Sequence, residues 1–111
     1  MMINYFDCDW VWGKSTILLI DNCGILDIQF QNGYCYGYIC DLKVSPERRR
    51  QGLGTALMQQ AETIIKENGF NEAQLQVEKK HAFQTEWYKK LGYNVIIDDG
   101  EYYTMRKIFK N

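Results

Sequence analysis

Apolar positions recur along this chain with a period of two in some stretches and of about 3.6 in others, and the changes of period divide it into elements. Residues 15–20 read as a strand. Asp21-Asn22-Cys23-Gly24 is a turn with the Asn and Gly that left-handed positions favour. In residues 25–31, Ile28 and Phe30 alternate with Gln29 and Gln31, the pattern of a returning strand. Asn32-Gly33 is a hairpin turn signal, and residues 34–44 form the next strand. Ser45-Pro46-Glu47 turns the chain. Residues 55–68 then read as an amphipathic helix, with Leu53, Leu57, Ala61, Ile64 and Ile65 on one face and Asn68-Gly69 as its C-cap. Ala73, Leu75 and Val77 alternate with Gln74, Gln76 and Glu78 in a half-exposed strand. Phe83, Trp87, Tyr88 and Leu91 mark a second helix, stopped by Gly92. Residues 93–97 and 102–109 are two closing strands around Asp98-Asp99-Gly100. The order is β-β-β-α-β-α-β-β: an α/β (α+β) chain with a mixed, mostly antiparallel twisted sheet and two main helices. Residues 3–12, aromatic-rich, are ambiguous and compatible with a short further strand.

Length and composition agree with one domain spanning residues 1–111 and a modest core. A 46% hydrophobic content separates the chain from disordered sequences. Net charge is −1 and the pI about 5.8, so no basic excess argues for nucleic acid. No apolar run reaches membrane-spanning length, and the first residues lack the pattern of a signal peptide. Cys8, Cys23, Cys35 and Cys40 form no Cys-x-x-Cys, and the lone histidine, His81, offers no zinc spacing. Reduced thiols in a cytoplasmic protein without a metal are the expectation.

The densest chemistry lies in Arg49-Arg50-Gln51-Gly52-Leu53-Gly54, between a strand and a helix N-terminus. A helix start exposes backbone N–H groups at the positive end of its dipole, a ready anion site. Gly52 and Gly54 let a ligand approach the backbone closely. Arg49 and Arg50 add charge-assisted bonds, each contributing about 1.5–3 kcal/mol. A P-loop is excluded because no Lys-Ser/Thr follows the glycines. The dinucleotide fingerprint fails because Leu57 stands at its third glycine.

What remains is Arg-x-x-Gly-x-Gly, introduced by Leu42-Lys43-Val44-Ser45-Pro46-Glu47. This resembles the acyl-CoA pyrophosphate loop of the GNAT superfamily of N-acetyltransferases. Downstream, Trp87-Tyr88-Lys89-Lys90-Leu91-Gly92-Tyr93 is similar to that family's aromatic-Tyr-x-Lys-Leu-Gly-aromatic signature. The two together, in order, cover about half the chain. The resemblance implies that acetyl-CoA is the cosubstrate and that an amine is the acceptor. It places pantetheine along the backbone of Leu42, Lys43 and Val44, and pyrophosphate on Arg49, Arg50 and the loop N–H groups of Gln51, Gly52, Leu53, Gly54 and Thr55. His81 stands where many members have an asparagine that contacts the pantetheine arm. Tyr88 holds the position of the tyrosine that protonates the departing sulfur.

Amine acetylation requires a neutral amine and a protonated leaving thiol. Deprotonating a lysine-like amine of pKa near 10.4 at pH 7 costs about 4–5 kcal/mol. A phenol with a pKa near 10 is protonated at neutral pH and suits the thiolate. The base is open. Cys40 and Tyr38 share the face of Leu42, and Asp41 points away from it unless a bulge intervenes. Gln76 stands where some members have a glutamate, with Glu78 on the same face; a water chain is the other possibility. The family also places two helices near its N-terminus, for which residues 1–14 are too few. Either the acceptor side is open, or a partner or second subunit covers it. The Tyr5, Phe6, Trp10 and Trp12 cluster then makes a homodimer the expectation. The alternative to an enzyme is a non-catalytic acyl-CoA-binding regulatory module.

Overall fold

The alternating stretches form a single sheet in a computed structural model that describes residues 2–49 and 51–110; Arg50 lies outside the described residues. The strands are β1 (Ile3–Trp10), β2 (Gly13–Ile20), β3 (Gly24–Gln31), β4 (Gly37–Val44), β5 (Glu72–Glu78), β6 (Asn94–Asp98) and β7 (Tyr102–Ile108). The helices are α1 (Leu53–Glu67) and α2 (Ala82–Lys90), with one 3₁₀ turn at Pro46–Arg48. The sheet order is β1-β2-β3-β4-β5-β7-β6, mixed and mostly antiparallel, with β4 and β5 parallel. Along the chain, the elements follow the β-β-β-α-β-α-β-β order read from the sequence, preceded by β1. The ambiguous aromatic segment pairs with β2 along its whole length, from Ile3↔Ile20 to Trp10↔Gly13. Its side chains are largely exposed on both faces, so no alternation marked it. The strand expected from residue 34 begins only at Gly37, because Tyr34 and Tyr36 stack on each other at 4.8 Å before it.

Helix α1 buries Leu53, Leu57, Met58, Ala61, Ile64 and Ile65. They pack on one face of the sheet, against a core that includes Leu18, Ile20, Leu26, Ile28, Ile39, Leu75 and Met105. Each fully buried Leu or Ile contributes about 1.5–3 kcal/mol. The helix ends where the Asn68 side chain donates to the Ile64 carbonyl at 2.8 Å and Gly69 takes φ +91°. Gly37 lets α1 seat against β4, since a Cβ there would lie 2.5 Å from Ile65 Cγ1. Gly37→Val is therefore expected to lower stability by about 1–3 kcal/mol, measured by urea unfolding. An unchanged midpoint would contradict this packing.

The C-terminal half is tied to α1 by one polar cluster. Tyr93, fully buried, donates its hydroxyl to Glu62 Oε2 at 3.0 Å, and Lys107 Nζ donates to Glu62 Oε1 at 2.9 Å. Burial, with the Glu62 carboxylate beside it, pushes the Tyr93 hydroxyl well above the ordinary tyrosine range. The cluster joins α1, β7 and the turn after α2. Among the described residues, no helix is long and apolar enough to cross a membrane.

Candidate active site

The sheet opens at its one parallel junction. β4 and β5 pair over Gly37↔Ala73, Tyr38↔Gln74 and Ile39↔Leu75, and no further. β4 stays on β3, but with a bulge: Asp27 faces Cys40 while Ile25 faces Lys43, one residue more on the β4 side. Asp41 absorbs that residue at φ +54°, a region that aspartate tolerates better than most residues. The bulge inverts the alternation beyond it, so Leu42 and Val44 pack against the α1 core. On the side toward β5, the backbone of Leu42, Lys43 and Val44 faces the opening of a fork with no strand partner.

At the mouth of this fork the chain turns through Pro46–Arg48 into α1. Gly52 is the N-cap at φ +78°, a left-handed value that suits glycine. Among the described residues, no side chain caps this helix, and its first turn has no acidic residue. The first intrahelical bond runs from Ala56 N to Gly52 O at 3.0 Å. The N–H groups of Leu53, Gly54 and Thr55 precede it and have no intrahelical acceptor. Arg49 Nε donates to the Val44 carbonyl at 3.2 Å, which braces the loop on β4. Arg48 Nε donates to Gln51 Oε1 at 2.9 Å, and Arg48 lies 3.8 Å from an Asp21 carboxylate oxygen.

These elements enclose a groove of about 1270 Å³. Of the residues singled out from sequence, Leu42, Lys43, Val44, Arg49, Gly52, Leu53, Gly54 and Thr55 line it together. Leu53 is also part of the buried core, 3% exposed. Gln51 is not among the lining residues, its side chain being held by Arg48. The groove has the size and donors for an extended anionic ligand: strand backbone without a partner on the β5 side, with the Val44 carbonyl held by Arg49, ending at helix N–H groups that no intrahelical acceptor takes. Gly54 has a further role. A Cβ there would sit 3.4 Å from the Trp87 ring, so a larger residue at 54 would press on α2 as well as on any ligand.

Tyr88 and His81 stand in a second, smaller cleft of about 360 Å³, with Cys40, Asp41, Gln76 and Glu78. It meets the larger groove at Leu42, Lys43 and Gln84, which line both. Tyr88 packs against Trp87 at 5.0 Å and Tyr93 at 6.1 Å, and its burial raises the phenol above the ordinary tyrosine range. His81 precedes the first turn of α2, exposed, with Nε2 4.0 Å from Glu78 Oε1. The sequence reading missed Gln84 at the junction and left Asp41 conditional on a bulge. The bulge is present, and it brings Asp41 to the cleft.

Behind Asp41 lies Asp27, whose Oδ1 is buried without a hydrogen-bond partner among the described residues. Cys40 Sγ contacts Asp27 Oδ2 at 3.7 Å. Burial raises the Asp27 carboxyl above its ordinary range, and burial next to Asp27 pushes the Cys40 thiol up to about 12. A raised carboxyl means that the fold favours its neutral form. That contribution is present below the ordinary carboxylate range and is lost as pH rises through the raised value. Asp27→Asn keeps the neutral shape, so its thermal midpoint should match wild type in acid and exceed it increasingly toward neutral pH. A difference independent of pH would contradict this assignment.

The family model of the Acetyltransferase (GNAT) family matches residues 8–93, and the chain belongs to that family. Solved structures share its fold. The PaiA N-acetyltransferase of Thermoplasma acidophilum, in complex with coenzyme A, is 24% identical at TM-score 0.75, over 86% of this chain and 60% of that one. Nourseothricin acetyltransferase is 21% identical at TM-score 0.73, over 87% of this chain and 65% of its own. A GNAT family acetyltransferase of Elizabethkingia anophelis with acetyl-CoA bound is 13% identical at TM-score 0.72, over 88% and 77%. The chain thus spans less than two thirds of the first two.

Proposed function

We propose that residues 1–111 act as one acetyltransferase domain that takes an acetyl group from acetyl-CoA and passes it to a primary amine. The observation that carries this reading is the meeting of the two clefts at Leu42, Lys43 and Gln84, with anion donors at the far end of one and Tyr88 in the other. Structural relatives with coenzyme A or acetyl-CoA bound support the cosubstrate. Pyrophosphate would sit on the N–H groups of Leu53, Gly54 and Thr55 beside Arg49, and the pantetheine arm along Leu42–Val44. The thioester would then lie at the junction, where Tyr88 can reach its sulfur.

In this reaction the amine lone pair attacks the thioester carbonyl, a C–N bond forms and the C–S bond breaks. Tyr88 passes its hydroxyl proton to the departing sulfur; the surplus proton of the new amide nitrogen passes to water, and water returns a proton to the phenolate, so the net transfer is one proton from nitrogen to sulfur. A raised Tyr88 keeps that proton available throughout the neutral range. Asp41 and Glu78 line the acceptor cleft and favour an amine whose substrate carries positive charge.

Thiol release from acetyl-CoA, assayed with polyamines, amino acids, lysine peptides and aminoglycosides, tests the reading, with mass spectrometry of each amine product. Turnover with at least one amine is the expected result. Tight acetyl-CoA binding without transfer to any of them would point instead to a regulatory acyl-CoA module.

A further inference from the structure

The two edges of the sheet are built differently. β6, at one edge, is five residues long and carries a register shift between Val95 and Ile97. Short length and bulges are devices that keep sheet edges from pairing with other chains. β1, at the other edge, has neither. It runs for eight residues in unbroken register with β2, and it contains no proline, lysine or arginine. Its outer side presents a row of unpaired backbone N–H and C=O groups. Tyr5 is 60% exposed, Phe6 47% and Trp10 53%. Tyr5 stands on the α1 side of the sheet, opposite Leu18, with Asp7 and Asp9 on the same face, and Phe6 and Trp10 stand on the other side, so each flank of this edge carries an exposed aromatic.

We propose that this edge is a homodimer interface in which β1 adds antiparallel to β1 of a second copy. The two-fold axis is perpendicular to the sheet and joins two seven-stranded sheets into one. Such an axis sets one residue opposite its own copy, and like-charge avoidance together with the length of strand paired selects which. Centring on Asp7 opposes two aspartates, and centring on Cys8 sets Asp7 against the partner's Asp9. Centring on Phe6 opposes no like charges. It sets Phe6 against the partner's Phe6, Tyr5 against the partner's Asp7, Asn4 against the partner's Cys8 and Ile3 against the partner's Asp9, and it uses nearly the whole strand. Asp7 is already served within its own sheet, by Thr16 Oγ1 at 2.6 Å and Lys14 at 4.0 Å. A second copy is the occupant because this register makes the edge complementary to itself. The fork between β4 and β5 is remote from β1, so the proposal stands or falls independently of acetyl transfer.

Sedimentation equilibrium at tens of micromolar should return twice the 13.1 kDa monomer mass for the wild type. Phe6→Lys and Phe6→Glu, each of which puts like charges on the axis, should each halve that mass with unchanged circular dichroism. An equimolar mixture of the two should recover the dimer, because opposite charges then meet at the axis. Phe6→Cys should oxidise to a dimer whose disulfide maps to position 6 of both copies, since opposed Cβ atoms in antiparallel strands lie about 4.5–5.5 Å apart. A monomeric wild type, a dimer that survives in both charged variants, a mixture that stays monomeric, or a disulfide mapping to Cys8 of both copies would each overturn the proposal.

Discussion

Tyr88→Phe is expected to lower kcat for acetyl transfer by about 10²–10⁴-fold while leaving acetyl-CoA affinity nearly unchanged. The substitution removes one oxygen and keeps the ring. The contacts of that ring with Trp87 and Tyr93 are aromatic packing, which phenylalanine preserves, so the fold and the larger groove should survive. The proton for the departing sulfur is lost. Because burial holds the phenol above the ordinary tyrosine range, the wild-type rate should show no alkaline decline from Tyr88 below that range. Steady-state kinetics with a separately measured dissociation constant separates the two effects. Wild-type turnover in the variant would return Tyr88 to a packing role and leave water as the proton donor.

Gly52→Val should weaken acetyl-CoA by about 100-fold or more with a smaller loss of stability. Gly52 holds φ +78°, where a β-branched residue is strained by about 1–2 kcal/mol or more. Among the described residues, nothing lies within 4 Å of a Cβ at this position, so the damage falls on the backbone path. That path aims the N–H groups of Leu53, Gly54 and Thr55, and misdirecting two charge-assisted bonds removes about 3–6 kcal/mol. Gly54→Val is a less selective probe, because the Trp87 ring stands 3.4 Å from the Cβ it would add. Calorimetry on the folded Gly52→Val protein that returned wild-type affinity would remove the loop from the binding site.

The placement of the loop residues along one groove was legible because they are contiguous. Gly52, Gly54 and Arg49 sit in one short stretch where a strand passes into a helix, so they reach the same groove together. The placement of Tyr88 on a second helix was legible from an equally local pattern. Asp41 was not, because its direction depends on a bulge opposite Asp27 that no residue pattern announces; aspartate at positive φ is permitted, not required. Gln84 reaches both clefts only because α2 crosses the fork, a tertiary fact. β1 escaped the periodicity test for a physical reason: an edge strand exposed on both faces has no buried side to mark. The start of β4 was placed too early because Tyr34 and Tyr36 are strong strand formers that stack on one another in a turn.

An amide-resolved NMR titration of the wild-type protein with acetyl-CoA tests the central claim most directly. Saturable binding of one equivalent is expected, with the largest shifts at Leu42, Lys43 and Val44, at Gly52 through Thr55, and in the second cleft at Tyr88. No saturable shift, or shifts centred away from the fork between β4 and β5, would contradict the account.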